Sequence, residues 1–433
     1  MSLVYLLLSI NLVFLSFSNI EEVKETEQIN HVVIDSLLKL RKNPEKFIRF
    51  YEEQERIHSD SDWQTMESKA FPYYLEASFG LEGKSKFYEA INYLEENNSL
   101  HFDLVEQQMI SFFRGYYFFS KGYLTKSEKL LQDAILQEVD VLDNDYQERI
   151  FELIGGIKYY RGDYSSSLRY LLQALEMLSR AEDRNKIAGI YFKISRVFLK
   201  LKDYERAREN MQKVVENGDE LELIRATISK LEIQFEESHE DIDITELLKT
   251  KRYLDAENLN SKAPGLSLFV SKVYMANGFN DSISFAYDLY DLNMAIGNLI
   301  GLSLVSELIA EWEMKLGDNE KALVYMNKAF ELSSELGMMR DASNQSLWLS
   351  KYYGDKEVYK EALKFLDLNR AYRDSIATYA NEAGVATQDQ LFVFQQKKKE
   401  QELKHEELII LEKNKVLYLK EDILSSYDLL TFS

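Results

Sequence analysis

The residue types best suited to catalysis are sparse in this sequence and stand in no working arrangement. The five histidines, His31, His58, His101, His239 and His405, are scattered. No pair has the i, i+4 spacing that sets two imidazoles on one helical face for zinc. There is no cysteine, which excludes disulfides, thiolate zinc ligands, a thiol nucleophile and a lipoprotein-type amino terminus. Gly83-Lys84-Ser85 reads like the end of a phosphate loop. That loop needs a glycine five residues before Gly83, where Ser78 stands, and no β-branched run precedes it. Glu236-Glu237 with Glu240-Asp241 gathers carboxylates, but without the glycine-bearing spacing that wraps calcium. Asn97, Asn280 and Asn344 head N-x-Ser triplets, a number that a chain rich in Asn and Ser supplies by accident. The sequence thus points to no catalytic residue, no cofactor and no metal. An enzyme reading survives only as a hydrolase whose carboxylates converge in a pocket without leaving a motif.

The elements that would position any site come next, and bulk properties narrow them. Asp and Glu number 73 against 52 Lys and Arg, a formal charge of −21, which repels phosphate backbones and sets nucleic acid aside as a partner. Aromatic residues make up 13%, the mark of a folded chain. Three prolines and 17 glycines are too few to turn a many-stranded β fold. At 433 residues the chain exceeds one ordinary core and must be several domains or an elongated array. Leu3 to Phe17 is apolar except for Ser9, Asn11 and Ser16, and Glu21 and Glu22 follow before any Lys or Arg. This run has the length of a secretory signal and is short for a spanning helix. It predicts a signal peptide over 1–18 and export to a periplasmic or extracellular place. The alternative is an uncleaved amino-terminal anchor holding the chain at the membrane, since the segment before it carries no basic side chain.

A repeat of 40 residues organises the middle of the chain. Gly115, Gly155 and Ser195 are evenly spaced, and so are Gly122, Gly162 and Lys202 seven residues later. Ser127, Ser167 and Ala207 follow in step, then Ala134, Ala174 and Val214. The small residue in each first helix lets a second helix approach closely. The residue at 122, 162 or 202 makes the turn between them, where a left-handed backbone is needed. Asn43-Pro44 reads as an N-cap and first helical residue, and Pro72 and Pro264 read as starts of first helices. One hairpin cannot bury its apolar stripe alone, so the hairpins must stack.

These residues resemble the tetratricopeptide repeat. Arg161-Gly162-Asp163-Tyr164, Lys202-Asp203-Tyr204-Glu205-Arg206-Ala207 and Leu316-Gly317-Asp318-Asn319-Glu320-Lys321-Ala322 carry its turn and the start of its second helix. Ser271, Tyr274 and Gly278, then Tyr359, Glu361 and Ala362, mark further units, and Phe87 and Ala90 mark an early, weaker one. The period of 40 exceeds the family's about 34 residues, which implies longer helices, and the family's closing proline is absent from every unit. The resemblance implies an all-α, right-handed superhelical solenoid of such hairpins. The expected organisation is a helical cap over 19–70, the repeat array over 71–380, and one long charged helix over 381–433. That last segment repeats Leu403, Ile410, Leu417 and Leu424 every seven residues, but Glu406, Lys413 and Lys420 interrupt its second apolar row. It reads either as a helix for homodimerisation or as a cap on the last hairpin.

In this family the first helices line the concave face. Counted from the small residue, Phe112, Tyr116, Phe119, Tyr159, Tyr160 and Arg196 take inward positions, with Lys272 in the place of Arg196 further along. An aromatic groove with a few basic residues suits a protein or peptide partner with acidic ends. Each of these residues taken singly also has the reading of inter-repeat core, which weighs somewhat the heavier. The whole layout also resembles the exported sensory region of bacterial signalling proteins, with Tyr372-Arg373-Asp374-Ser375 ahead of a Lys- and Glu-rich helix. That resemblance implies a non-catalytic binding scaffold in a signalling system, with a membrane-associated signalling partner. No kinase or DNA-binding stretch follows, so the expectation is a free-standing array or a sensor without its output region.

Overall fold

The computed structural model describes residues 43–57, 60–81, 85–96, 102–136, 144–178, 183–238, 264–279 and 283–377, with isolated positions between them. The expected signal over 1–18 and the charged helix over 381–433 lie outside the described residues. Regular structure among the described residues is helix throughout. The helices are α1 (Pro44–Ile57), α2 (Asp60–Phe79), α3 (Ser85–Glu96), α4 (Leu104–Ser120), α5 (Leu124–Leu136), α6 (Asn144–Arg161), α7 (Tyr164–Leu178), α8 (Arg184–Lys200), α9 (Tyr204–Asn217), α10 (Glu220–Ser238), α11 (Pro264–Ala276), α12 (Ile283–Ile296), α13 (Leu299–Leu316), α14 (Asn319–Leu336) and α15 (Met339–Asp355). A further helical run covers 359–377. The chain divides into two compact units. One holds Met1–Ile157 with Asp243–Met338, and the other holds Lys158–Ile242 with Met339–Ser433.

Local chemistry explains where the helices begin and turn. Asp103 accepts from the Glu106 amide at 2.9 Å, and Glu106 accepts from the Asp103 amide at 2.8 Å, closing a capping box on α4. Asp203 and Asp318 cap α9 and α14 in the same way from their side chains. The turn positions are left-handed as the repeat requires: Gly122 at φ 89°, Gly162 at 81° and Gly317 at 90°. Lys202 takes the same place at φ 59° although it has a Cβ. Asn43 accepts from the Lys46 amide at 3.2 Å, so Asn43-Pro44 is the cap and first residue expected of it. Pro264 likewise opens α11. Pro72 differs. It lies inside α2, which runs unbroken from Asp60 to Phe79. The helix therefore passes straight through the boundary expected at residue 70.

The small residues do what their spacing asks. A Cβ at Gly115 would meet Leu131 Cγ and Cδ2 at 2.7 Å, so α4 and α5 touch backbone to side chain there. Across the same seam Ser127 Oγ donates to the Gly115 carbonyl at 2.7 Å. In the other unit Ser195 Oγ donates to the Ala207 carbonyl at 2.7 Å, and Ser350 Oγ to the Ala362 carbonyl at 2.8 Å. The seam is thus one small pair, 12 residues apart, in which whichever member is serine satisfies its hydroxyl on the facing backbone. Leu131, Leu171 and Met211, the large residues between the small ones, are buried.

Candidate peptide-binding face

In the first unit α4 presents the three aromatic positions in different ways. Phe112 is fully buried, with ring centroids 5.1 Å from Phe113, 5.2 Å from Tyr146 and 6.3 Å from Phe79. It belongs to the inter-repeat core and not to a groove, because α2 and α6 cover the face of α4 that carries it. Tyr116 is part-exposed, edge-on to Phe79 at 4.7 Å. Burial pushes its hydroxyl up to about 12, with Tyr88 and Glu152 adding to the rise and Arg149 opposing it. Phe119, also part-exposed, lies against α6, where a Cβ at Gly156 would sit 3.1 Å from its Cζ. Lys272 is exposed on α11. Its ammonium, with that of Lys315, partly offsets the rise that burial gives the Glu311 carboxyl.

The second unit gathers Tyr159, Tyr160 and Arg196 into one cluster. The Tyr159 and Tyr160 rings meet edge to face at 5.4 Å, and Tyr159 lies 5.8 Å from Tyr164. Arg196 Nη1 pairs with the Glu232 carboxylate of α10 and its guanidinium also bonds the Tyr159 hydroxyl. Burial works to lower the Arg196 pKa, but Glu232 and Tyr159 outweigh it and the group stays firmly charged. Burial raises Tyr159 and Tyr160, so both remain neutral phenols at ordinary pH. Arg340 of α15 stacks its guanidinium 5.0 Å from the Tyr164 ring, and Asp341 beside it couples to all three tyrosines. The result is a cluster of neutral phenols threaded with two arginines and two acids, in which Tyr159 and Tyr160 are part-exposed and Tyr164 is buried.

Tyr164, Glu232 and Arg340 are absent from the sequence-based set of site residues. Tyr164 could have been found, since it is the aromatic of the Gly-Asp-Tyr turn. Glu232 lies in α10, beyond the evenly spaced units that run to Val214. Arg340 comes from a helix far along the chain, and no local pattern announces that approach.

The hydrolase alternative asks for free, convergent carboxylates. Two of the buried ones are engaged structurally: Glu106 in its capping box, and Glu313 by the Tyr287 hydroxyl at 2.5 Å and Lys321 at 3.7 Å. Among the described residues no three His, Asp or Glu side chains gather to hold a metal ion.

Fold and seam together define a class, the stacked helical-hairpin proteins. More narrowly, residues 146–219, spanning α6 to α9, match the tetratricopeptide repeat. A TPR repeat-containing protein of Methanocaldococcus jannaschii is 24% identical over 308 residues, covering 65% of this chain. The chain spans about half the length of that curated relative, 52%. Among solved structures, a Rap protein complexed with Competence and Sporulation Factor superposes with a TM-score of 0.59 at 14% identity, over 82% of this chain and 99% of that one. The Rap conjugation gene regulator of the plasmid pLS20, in complex with the Phr* peptide, gives 0.51 at 13% identity, over 83% and 98%. These likenesses show the fold, a scaffold of helical hairpins.

Proposed function

We propose that this chain is a non-catalytic peptide receptor, the sensory part of a signalling system, working outside the cytoplasm. One observation carries the binding half. Behind the seam the side chains are fully buried, whereas Tyr116, Phe119, Tyr159, Tyr160 and Arg196 on the first helices keep part of their surface open. Aromatic and arginine side chains held rigidly and left partly open are the usual anchors of a protein-binding surface. The Rap protein and the pLS20 regulator, which share the fold, are complexed with Competence and Sporulation Factor and with the Phr* peptide. The export half rests on the apolar Leu3–Phe17 run and the acids that follow it. The signalling half rests on the array followed by Tyr372-Arg373-Asp374-Ser375 and a charged heptad segment, through which two chains would pair.

The test pairs stability with binding. Tyr160→Ala and Lys272→Ala are assayed by thermal melt and by affinity for heptapeptides selected from a random library on the full chain. A groove residue loses affinity while its melting temperature hardly moves. A residue that loses stability and keeps affinity belongs to the core, and a library that yields no binder overturns the peptide reading. For export, the mature protein should begin near Asn19, and a protein retaining Met1 in the cytosol would overturn that part.

A further inference from the structure

The second helices of the first unit carry an aromatic patch of their own. α12 and α14 follow the turns at Gly278 and Gly317 and lie in the same unit. Tyr287 and Tyr290 of α12 and Tyr325 of α14 are part-exposed. All three pack on a buried cluster that includes Val305, Ile309 and Trp312, which holds the rings in place. The Tyr290 and Tyr325 rings stand at 89° with centroids 5.4 Å apart, and Tyr287 meets Tyr325 at 69° and 5.7 Å. An edge-to-face pair covers one face of one ring, and the ring surface left in solvent can receive a cation.

Negative charge surrounds these rings. The Tyr287 hydroxyl donates to Glu313 at 2.5 Å. Burial raises the Tyr325 pKa, with Tyr290, Asp291 and Glu313 adding to the rise and Lys321 opposing it. That lysine is engaged by Asp318 at 3.1 Å and by Glu313 at 3.7 Å. Asp288 and Asp291 are exposed on α12, and among the described residues neither pairs with a lysine or arginine. Neutral rings beside carboxylates without a counter-charge are the two halves of a guanidinium site. The ring receives the plane of the cation, and the carboxylate accepts from its N–H groups.

We propose that α12 and α14 form a second docking surface, for an arginine-bearing basic segment of a protein partner, with a guanidinium against Tyr290 and Tyr325 and its N–H groups on Asp291. This surface uses second helices, so it goes beyond the peptide-receptor reading and does not depend on it. A segment suits the patch better than a free cation, because the patch is longer than one cation. Tyr287, Tyr290, Asp291 and Met294 follow one another at the spacing of a single helix face, and Met294 is 54% exposed at its end. The chain's formal charge of −21 draws a basic partner and repels anionic lipid and nucleic acid.

The experiment uses the full chain with fluorescein-labelled hexa-arginine and hexa-lysine, read by fluorescence anisotropy at physiological salt. Asp291→Asn removes the exposed carboxylate, and Tyr290→Leu removes a ring while keeping apolar packing. Glu209→Gln, on α9 of the other unit, removes the same charge elsewhere. Melts check folding, and if Tyr290→Leu does not fold, Asp291→Asn decides alone. Hexa-arginine should bind more tightly than hexa-lysine. Asp291→Asn and Tyr290→Leu should each weaken it by about two- to fivefold, with Glu209→Gln unchanged. Equal losses in Asp291→Asn and Glu209→Gln would show attraction to bulk charge and overturn the inference. So would no binding of hexa-arginine, or an unchanged affinity in Asp291→Asn. N-acetylarginine amide competing as strongly as unlabelled hexa-arginine would assign the site to a small cation and overturn the docking of a segment.

Discussion

The seam contact at Gly115 gives a sharp prediction. Gly115→Ala would set its Cβ 2.7 Å from both Cγ and Cδ2 of Leu131. Ordinary carbon–carbon contact is about 3.5–4.0 Å, so α5 or Leu131 must retreat by about 1 Å. Leu131 is fully buried and has nowhere easy to go. Overpacking of this kind destabilises by about 1–3 kcal/mol, while alanine in place of a mid-helix glycine contributes about 1 kcal/mol the other way. The net expectation is a loss of up to about 2 kcal/mol. Gly189→Ala is the internal control. It sits within α8 with nothing inside 4 Å of its Cβ position, so only the helix gain of about 1 kcal/mol applies. Urea unfolding followed by circular dichroism at 222 nm reads both. Leu131→Ala alone should cost about 2–5 kcal/mol. The double variant should lose less than the sum of the two, because the new methyl group fills part of the space. If Gly115→Ala stabilises as much as Gly189→Ala, or if the two seam changes simply add, α4 and α5 do not meet as described.

Three further outcomes follow from other residues. Lys202 holds a left-handed turn with a side chain that disfavours it, so Lys202→Gly should raise stability by about 0.5–1 kcal/mol in the same assay; a loss would place the repeat register wrongly. Tyr116 keeps its proton in the folded state to about pH 12, from an ordinary value of 10. The unfolded chain ionises first, so its contribution is whole below pH 10 and lost as pH rises toward 12. Tyr116→Phe should flatten part of the alkaline decline in melting temperature across that window, and an unchanged profile would contradict the burial. Arg196→Ala strips Glu232 and the Tyr159 hydroxyl of a shared partner. It should destabilise by about 1–3 kcal/mol, and Glu232→Gln should recover part of that loss in the double variant.

The sequence announced the hairpins because their turns carry chemistry. A left-handed position, an N-capping aspartate and a small residue at fixed offsets are local demands, so Gly162-Asp163, Lys202-Asp203 and Gly317-Asp318 could be read directly. The small pair was equally legible, although the serine-to-carbonyl bond across it was not. Phe112 and Tyr116 show where the pattern runs out. Both lie on first-helix positions of the same spacing, and only the packing of Phe79, Phe113 and Tyr146 decides that one is core and the other part-open. Pro72 suggests a helix start, the commonest use of the residue, but it sits inside α2. Glu232 and Arg340 come to the tyrosine cluster from helices distant in the chain, and long-range approach leaves no periodic trace.

The central claim is that, within a unit, the first helices carry the ligand-binding side chains, and amide hydrogen exchange tests it most directly. The full chain is exchanged alone and with a saturating selected heptapeptide. Within whichever unit takes the peptide, the account predicts slowed exchange in its first helices, α4 in the first unit or α8 in the second, with their partners α5 and α9 little changed. Protection confined to the second helices, or none in any helix at saturation, would contradict it.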